Sequence, residues 1–477
     1  MTSTRTYLEL SEEGGGAHKF YEVTVDGTDV TIRYGRIGEP GQARTASHTT
    51  VARAEATAAR KVAEKRRKGY EPAVAGVRKR RAVTRRTIVS QRSTANLAPV
   101  LWRFRSGSPA FGIFVDDERC WVGNERGDVY TLSHQGTVTA RYGLPDGVKC
   151  IVADDFWIYA GCDDGKVYDL GAKIPHVAYE IAEDVDIFWL DIHDGVLGVS
   201  DVAGQITVID HEDEFQWSRR SAGNAAWMVR HDESGVYHGH SRGVTMYDAG
   251  TGNERWSVPT SGAVLFGWQE GDEVFAATAH NSVDRIGKDG VHRSTYRCDG
   301  AVFSCAASPD GRYVFAGDNH SSVYCFSRDG RRLWKLATGC GSAYSMQFHQ
   351  DRLYIVTTDG SLACVDASEE AILAAERGTV PEPVSVKAPS WDAVTPATEL
   401  ETVRSSELTD TDGIIVECVD EGGRLRVRVV SHGYDPSLRV QFPKDIRHAG
   451  ARYVVNEVLT SGSGGFYRVR GDIRRLS

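Results

Sequence analysis

A repeat of about 39 residues runs through the middle of the chain and restricts the fold more than any other feature. In each unit a short polar turn leads into an apolar position, and successive apolar positions are 38, 39, 38, 39, 40 and 39 residues apart. A run of β-forming residues, such as Trp157-Ile158-Tyr159, precedes each turn. Repeats of this length with several short strands are typical of β-propeller blades. The seven positions, which predict seven blades, are Val129, Val167, Ile206, Val244, Val283, Val323 and Leu362.

The tryptophans of the repeat predict how the ring closes. Outer strands end in a tryptophan motif at Trp217, Trp256 and Trp334, and Trp102 matches this motif although no blade precedes it. We expect the strand around Trp102 to pair into the last blade, because that pairing removes the exposed edge of an open ring. Residues 371–375 compete for the same place.

Composition favours a mainly β protein and argues against a membrane protein. The 477 residues include 50 glycines against only 14 prolines and 4 methionines, as expected for many tight turns. No apolar run approaches the length of a membrane span, and the first residues lack the apolar core of a signal peptide, so we expect a cytoplasmic protein. The nine cysteines are scattered without zinc-site spacing and are expected to be reduced and buried.

The net charge of −9 hides an uneven distribution along the chain. Residues 1–92 carry 19 Lys and Arg against 10 Asp and Glu, whereas residues 93–395 carry 25 against 43. A basic head on an acidic body indicates a polyanion-binding module joined to a domain with other partners. One run in the head looks too charged to bury, and it could follow a phosphate backbone or dock on the acidic body. Its cations are Arg78, Lys79, Arg80, Arg81, Arg85 and Arg86.

The head also contains an ordered set of short motifs. The triplet Tyr34-Gly35-Arg36 is preceded by Lys19-Phe20-Tyr21-Glu22-Val23, and it is followed by Gly41-Gln42 and a basic helix end from Lys65 to Tyr70. In this order, over residues 5–72, the motifs resemble the WGR domain of bacterial type, with tyrosine in place of the tryptophan of the Trp-Gly-Arg triplet. The resemblance implies nucleic-acid binding, since WGR modules occur in DNA-break-responsive poly(ADP-ribose) polymerases.

Local patterns predict where the candidate contacts lie. Alternation predicts strands over Phe20–Val25 and Val30–Arg36, and spacing predicts a helix over Thr50–Lys68. Tyr34 and Arg36 should project from one strand face, where a ring and a guanidinium could stack on a base and neutralise a phosphate. Alternatively, Tyr34 packs on the helix and Arg36 caps the sheet edge. The candidate nucleic-acid contacts are Arg33, Tyr34, Arg36, Arg44, Arg66, Arg78, Lys79, Arg80 and Arg81.

No motif predicts a cofactor, a metal or catalysis. The segment from Asp248 to Trp256 resembles the repeat of propellers that bind pyrroloquinoline quinone, but the expected calcium and ring-stacking ligands are missing, so we interpret it as a packing feature. Four histidines at turns or late in strands are expected to be structural rather than metal ligands. The four histidines are His238, His240, His320 and His349. The nucleophile, phosphate-loop and zinc-protease motifs are not found in the sequence.

The last eighty residues predict a small α+β domain. Strands are expected at 413–419, 424–430 and 466–469, with a hairpin turn at Gly422-Gly423. A short helix is expected over 445–459.

Together these patterns predict a mainly β, non-enzymatic binding scaffold. The head, within residues 1–92, would contact nucleic acid, with DNA as the expected form, without sequence preference, and the propeller would hold a protein or peptide partner. The alternatives are an enzyme with its site in the propeller funnel, or a purely protein-binding scaffold. The predicted segments are a WGR-like domain (1–75), a basic linker (76–97), a seven-bladed propeller (98–378), a second linker (379–398) and a small α+β domain (399–477).

Overall fold

Two compact units make up the structure. The computed structural model describes residues 4–10, 19–36, 41–72, 86–181, 187–396, 400–404 and 413–477. The first unit contains the described residues up to 72, and the second contains those from 86 onward.

The first unit is an antiparallel sheet with one helix packed on it. Its elements are β1 (Thr4–Leu10), β2 (Lys19–Asp26), β3 (Asp29–Arg36), β4 (Gln42–Ser47), α1 (Val51–Arg67) and β5 (Glu71–Pro72). The strands lie in the order β4-β3-β2-β1-β5. Ala54 and Ala58 of the helix are buried in one core with Leu8, Tyr21 and Val23 of the sheet. The predicted strands are confirmed as β2 and β3, and they form a hairpin in which Asp26 pairs with Asp29 across a turn where Gly27 has a φ of +57°.

Helix α1 begins and ends as predicted. The Thr50 hydroxyl caps its first turn by accepting the Arg53 backbone N–H at 3.3 Å. Lys65, Arg66 and Arg67 occupy the last turn, where cations interact favourably with the helix dipole. The chain leaves the helix through Gly69, whose φ of +87° is costly for other residues.

The second unit contains the seven sheets of a β-propeller, numbered as blades one to seven along the chain. It opens with β6 (Val100–Arg105). Blade one contains β7 (Ala110–Val115), β8 (Cys120–Asn124), β9 (Asp128–Leu132) and β10 (Val138–Gly143). Blade two contains β11 (Val148–Asp154), β12 (Trp157–Cys162), β13 (Lys166–Asp169) and β14 (His176–Glu180). Blade three contains β15 (Ile187–His193), β16 (Val196–Asp201), β17 (Gln205–Ile209) and β18 (Phe215–Arg220).

The remaining blades follow the same plan. Blade four contains β19 (Met228–Asp232), β20 (Gly235–His240), β21 (Gly243–Tyr247) and β22 (Glu254–Pro259). Blade five contains β23 (Val264–Glu270), β24 (Glu273–Thr278), β25 (Ser282–Gly287) and β26 (His292–Arg297). Blade six contains β27 (Val302–Ala307), β28 (Tyr313–Asp318), β29 (Ser322–Ser327) and β30 (Arg332–Ala337). Blade seven contains β31 (Ala343–His349), β32 (Arg352–Thr357) and β33 (Ser361–Asp366), together with β6.

The first strand of each blade lies innermost, and these seven strands surround a central channel. Each of them contacts the innermost strand of the next blade, and β31 of blade seven contacts β7 of blade one. The ring is therefore closed, and the mainly β, seven-bladed fold class predicted from the repeat is confirmed.

Strand β6 completes the last blade, as the tryptophan motif predicts. It pairs antiparallel with β33, so that Phe104 lies opposite Leu362. Residues 371–375, which competed for this position, lie in α2 (Glu369–Glu376), capped by Ser368. On its other side β6 pairs in parallel with β34 (Val384–Val386), within the segment predicted to be a linker.

Tryptophans of the outer strands connect neighbouring blades. Three indole N–H groups donate to a carbonyl 32 residues further along, namely Trp102 to His134, Trp217 to Ala249 and Trp256 to Lys288. A Cβ on Gly252 would lie 2.5 Å from the Trp217 ring. The Asp248–Trp256 segment therefore serves packing between blades, as we interpreted it.

The C-terminal residues form a six-stranded sheet. Its strands are β35 (Thr402–Val403), β36 (Ile414–Glu421), β37 (Arg424–Val429), β38 (Val440–Gln441), β39 (Arg452–Thr460) and β40 (Tyr467–Leu476). They lie in the order β35-β40-β39-β36-β37, and β38 pairs with β40. The predicted hairpin of β36 and β37 is confirmed, with Glu421 opposite Arg424.

The helix predicted over 445–459 is wrong, because most of that segment is strand β39. A register shift between Val455 and Glu457 interrupts its pairing with β40. This bulge adds a residue and breaks the period-two alternation, so the apolar positions no longer follow a simple strand pattern. Across residues 400–404 and 413–477 the described elements are all strands.

Candidate functional site

Tyr34 of the triplet lies on the side of the sheet that faces the helix. Its ring stacks on Tyr21 with a centroid distance of 6.4 Å and packs at the margin of the core that contains Val62. Its hydroxyl donates to Gln42 Oε1 at 3.1 Å. The ring is half-buried, so Tyr34 supports the fold, as in the packing alternative, while part of it remains accessible.

Gly35 allows a close approach of two backbone segments. A Cβ at this position would lie 2.7 Å from the Gly41 Cα and 3.3 Å from the Phe20 ring. Because real side chains do not tolerate the first of these distances, the glycine is required where the chain passes from β3 to β4. The central residue of the triplet thus has a structural role.

Arg33 lies on the opposite side of the sheet from Tyr34. Its Nη2 atom is 3.0 Å from the Glu22 carboxylate, which also accepts a hydrogen bond from Arg5 at 2.7 Å. Its guanidinium lies over the Phe20 ring at 5.3 Å. Burial alone would raise the pKa of Glu22, but the bonds from Arg5 and Arg33 outweigh burial and lower it. Arg33 is therefore already engaged within the head.

The basic end of α1 continues the surface around Tyr34. Lys65 lies over the rings of Tyr21 at 4.6 Å and Tyr70 at 5.1 Å, and burial, assisted by the charge of Lys68, lowers the pKa of its ammonium group. Arg66 is exposed on the same helix end. Tyr21 and Lys65 belong to the sequence motifs of the head, but they are not among the contacts predicted from the sequence.

Arg44 lies on β4, whose side chains are all exposed. It pairs with Ile32, which packs on the helix-facing core, so Arg44 shares the side of the sheet that carries Tyr34. The structure thus places Tyr34 and Arg44 on one side of the sheet, and Arg33 on the other.

The side chains of the remaining candidates lie outside what the structure describes. The backbone of Arg36 pairs with Lys19 at the end of β3, but its side chain is not among the described parts. Arg78, Lys79, Arg80 and Arg81 all lie outside the described residues.

Arg86 corrects the expectation that the basic run is too charged to bury. Its side chain enters one end of the propeller channel, where only 7% of the residue is exposed. It donates to the backbone carbonyls of Leu265, Phe303 and Tyr344. Burial lowers the pKa of this guanidinium to about 10, so it remains charged at neutral pH.

The innermost strands begin at this end of the channel, which we call the upper mouth. A ring of large side chains surrounds it. The spacing of its members follows the blade repeat, and this repeat is the signal in the sequence that could locate them. We call these residues the collar: Phe111, Lys149, Phe188, Trp227, Leu265, Phe303 and Tyr344. Phe188 stacks on Trp227 at 3.7 Å, and Phe111 lies 4.3 Å from Tyr344.

The other end of the channel, the lower mouth, opens into a cavity of about 350 Å³. Asp191 lies in it, 3.9 Å from Arg230, and accepts the backbone N–H of His231 at 3.1 Å. Burial raises the pKa of Asp191 to about 6 despite Arg230, and burial lowers the pKa of His231 to about 4. Asp191 is thus paired with Arg230 and with the backbone of His231.

The predicted structural histidines are distributed over blades four, six and seven. His238 and His240 are buried in blade four, where they contact Ser221 and Thr245 at 2.7 and 3.0 Å. His349 ends the innermost strand of blade seven. Within the described residues, no three His, Cys, Asp or Glu side chains are grouped as metal ligands would be.

Two family models match parts of the chain. Residues 4–77 match the WGR domain, and residues 240–433 match the family described as outer membrane protein assembly factor BamB. The chain is thus a fusion of a WGR domain with a propeller region in which the later blades match BamB-like repeats. No curated protein matches the chain.

Two solved structures resemble the propeller. The WD40 β-propeller domain of Doa1 has 11% identity and a TM-score of 0.49, and the match covers 57% of this chain and 98% of that one. The computationally designed protein Ika8 has 13% identity and a TM-score of 0.46, and the match covers 57% of this chain and 100% of that one. Within the described residues, neither helix has the length and apolar character needed to cross a bilayer.

Proposed function

We propose that the chain is a non-enzymatic scaffold whose head binds DNA without sequence preference and whose propeller holds a protein or peptide partner. The observation that carries the DNA role is the surface at the end of α1. There Tyr21 contacts both Tyr34 and Lys65, and the exposed cations Arg66 and Arg67 extend beyond them. Aromatic rings beside exposed guanidinium groups suit contact with a sugar-phosphate backbone.

The charges around this surface support binding to a polyanion. Glu64 pairs with Lys61 at 3.6 Å and Lys68 at 3.2 Å, but among the described residues no carboxylate lies within ion-pair distance of Arg66 or Arg67. Contacts between such cations and phosphates release counterions from DNA, so the affinity should fall steeply with salt.

The test is a salt series of DNA binding by the full chain, followed by fluorescence anisotropy of a labelled duplex. Replacing both arginines in the variant Arg66→Gln/Arg67→Gln should reduce the slope of log K against log salt by about 2, since each phosphate contact contributes about 0.9. The control is Arg297→Gln, which removes an exposed cation from the propeller strand β26. Equal slopes for the variant and the control, or no retention of DNA at low salt, would exclude this role.

The basic run should add to the same slope. Replacing Arg78, Lys79, Arg80 and Arg81 with glutamine is expected to flatten it further, because these residues would follow the backbone without reading bases.

The lower mouth supports a cationic partner for the propeller. Turns between the first and second strands of different blades lie around this mouth, and they carry exposed carboxylates at Asp117, Asp155, Glu233, Asp272 and Asp351. Potentials of one sign around an opening attract partners of the other sign. Binding of a lysine-rich peptide, weakened by Asp155→Asn/Glu233→Gln, tests this role.

A second candidate function is catalysis or small-molecule binding in the lower cavity. Asp191 supports it, because a buried carboxyl with a pKa of about 6 can serve as a general acid or base. A ligand screen that compares wild type with Asp191→Asn by thermal shift tests it. If no compound stabilises wild type more than the variant, this candidate is lost.

We also propose a cytoplasmic location. All nine cysteines are free thiols and eight of them are buried, which suits a reducing compartment. Fractionation of cells that express the tagged chain would test the location.

A further inference from the structure

The Arg86 side chain occupies a pocket that is built as a binding site for a guanidinium group. Its Nη2 atom donates to the Tyr344 carbonyl at 2.6 Å, and its Nη1 atom donates to the carbonyls of Phe303, at 3.3 Å, and Leu265. The guanidinium carbon lies 5.7 Å from the ring centroids of Trp227, Phe303 and Tyr344. Carbonyl oxygens thus contact the donors of the guanidinium, while aromatic rings surround its charge.

Three β-bulges provide the carbonyls. The innermost strands of blades five, six and seven each contain a register shift, and the extra residue at each shift is Leu265, Phe303 or Tyr344. A bulged residue is left out of the ladder, so its carbonyl is available to another donor. Because three different blades contribute, the propeller itself holds the site in place.

The pocket favours arginine over lysine. A planar guanidinium can donate to several carbonyls at once and stays charged when buried, as the pKa of about 10 for Arg86 shows. An ammonium group begins from a lower pKa and is more strongly hydrated, so the same burial would cost it more.

The residues after Arg86 continue along the upper mouth as an extended peptide. Ile88 is buried against Phe111 and Tyr344 of the collar. Ser90 Oγ lies 2.8 Å from Ser342 Oγ. Arg86, Ile88 and Ser90, at every second position, thus contact the upper mouth, as in the recognition of short extended peptides.

We propose that the upper mouth is a binding site for an arginine-bearing extended peptide, which the segment Arg86–Ser90 occupies within the same chain. A segment of a partner protein with arginine followed two residues later by an aliphatic side chain would bind there by displacing it. This site is separate from the acidic lower mouth, and it does not depend on DNA binding by the head.

The test empties both side-chain pockets in the full chain with the variant Arg86→Ala/Ile88→Ser. The probe is a fluorescent peptide Arg-Thr-Ile-Val-Ser, which repeats residues 86–90, and the comparison peptide has lysine in place of arginine. We expect the variant to bind the arginine peptide about tenfold more tightly than wild type does, and about tenfold more tightly than it binds the lysine peptide. Arg92→Ala, which changes an exposed arginine of the same segment, should behave like wild type.

Equal binding by the variant and wild type, or equal binding of the two peptides, would overturn the proposal.

A second measurement needs no substitution. The Gln91 backbone N–H donates to the Asn319 carbonyl at 3.0 Å, so its hydrogen exchange reports whether the segment is docked. Excess arginine peptide should accelerate exchange around Gln91 in wild type, whereas the lysine peptide should not; unchanged exchange with both also overturns the proposal. No nucleic acid is present in either assay, so failure of the DNA role would not affect the outcome.

Discussion

Arg468 of the C-terminal sheet stacks on Trp157 of blade two, with its guanidinium carbon 3.7 Å from the ring centroid. It also forms an ion pair with Asp154 at 2.8 Å and donates to the Tyr159 hydroxyl at 2.7 Å. Only 1% of Arg468 is exposed. One side chain of strand β40 thus joins the C-terminal sheet to the wall of the propeller.

Removing Arg468 should strongly destabilise this junction. Arg468→Ala leaves the Asp154 carboxylate buried without its cation, which typically costs about 3–5 kcal/mol of unfolding free energy. Arg470→Ala is the matched control, since Arg470 lies over Phe156 at 4.4 Å with nearly half of its side chain exposed, and it should cost less than about 1 kcal/mol. Hydrogen exchange of the β40 amides under native conditions provides the measurement. Similar exchange in the two variants would contradict the assigned role of Arg468.

The pH dependence of stability should contain a contribution from Asp191. Burial raises its folded-state pKa to about 6, above the value of an unfolded aspartate, so the folded state binds the extra proton between about pH 4 and pH 6. Stability from this group is therefore largest at low pH and is lost as pH rises through about 6. His231 acts in the opposite direction, because its folded pKa of about 4 favours the folded state at higher pH.

A comparison with Asp191→Asn isolates the aspartate. Between pH 4 and pH 7 the unfolding free energy of wild type, relative to that of the variant, should fall by on the order of 2–3 kcal/mol, as about two pKa units imply. Urea denaturation at a series of pH values would measure the difference. A constant difference across this range would show that Asp191 does not titrate as its burial implies.

Local pattern predicted the ring, because each blade repeats the same turn and strand signals, and Trp102 revealed the closing strand. Burial of Arg86 could not be predicted in the same way. Its acceptors at Leu265, Phe303 and Tyr344 are 179 to 258 residues away, and charge alone made the segment look solvated. In the head, alternation predicted the strands, but the pairing of Arg33 with Glu22 arises from the register between β2 and β3.

Arg33 and Arg66 should therefore respond differently to substitution. Arg33→Gln removes one of the two cations that contact the buried Glu22 carboxylate. Because Arg33 is partly exposed, we expect the stability of the head to fall by about 1 kcal/mol. The salt slope of DNA binding should not change. Arg66→Gln should reduce the slope by about 1 and change stability by less than about 0.5 kcal/mol. Hydrogen exchange in β2 and β3 measures the first effect, and anisotropy titrations measure the second. A reduced slope with Arg33→Gln would place the DNA on the other side of the sheet.

Gly252 and Gly330 separate two costs of replacing a turn glycine in the propeller. Both precede the last strand of a blade, and both have a positive φ, +66° for Gly252 and +94° for Gly330. A Cβ at Gly252 would lie 2.5 Å from the Trp217 ring, whereas a Cβ at Gly330 would meet nothing within 4 Å. Gly330→Ala should cost only the backbone strain, about 1 kcal/mol. Gly252→Ala adds overpacking against the tryptophan that joins blades three and four, which raises the expected cost to about 2–4 kcal/mol. Thermal unfolding of the two variants measures the difference, and it should be accompanied by altered Trp217 fluorescence only for Gly252→Ala. Equal destabilisation would mean that the tryptophan contact between blades contributes nothing beyond the turn itself.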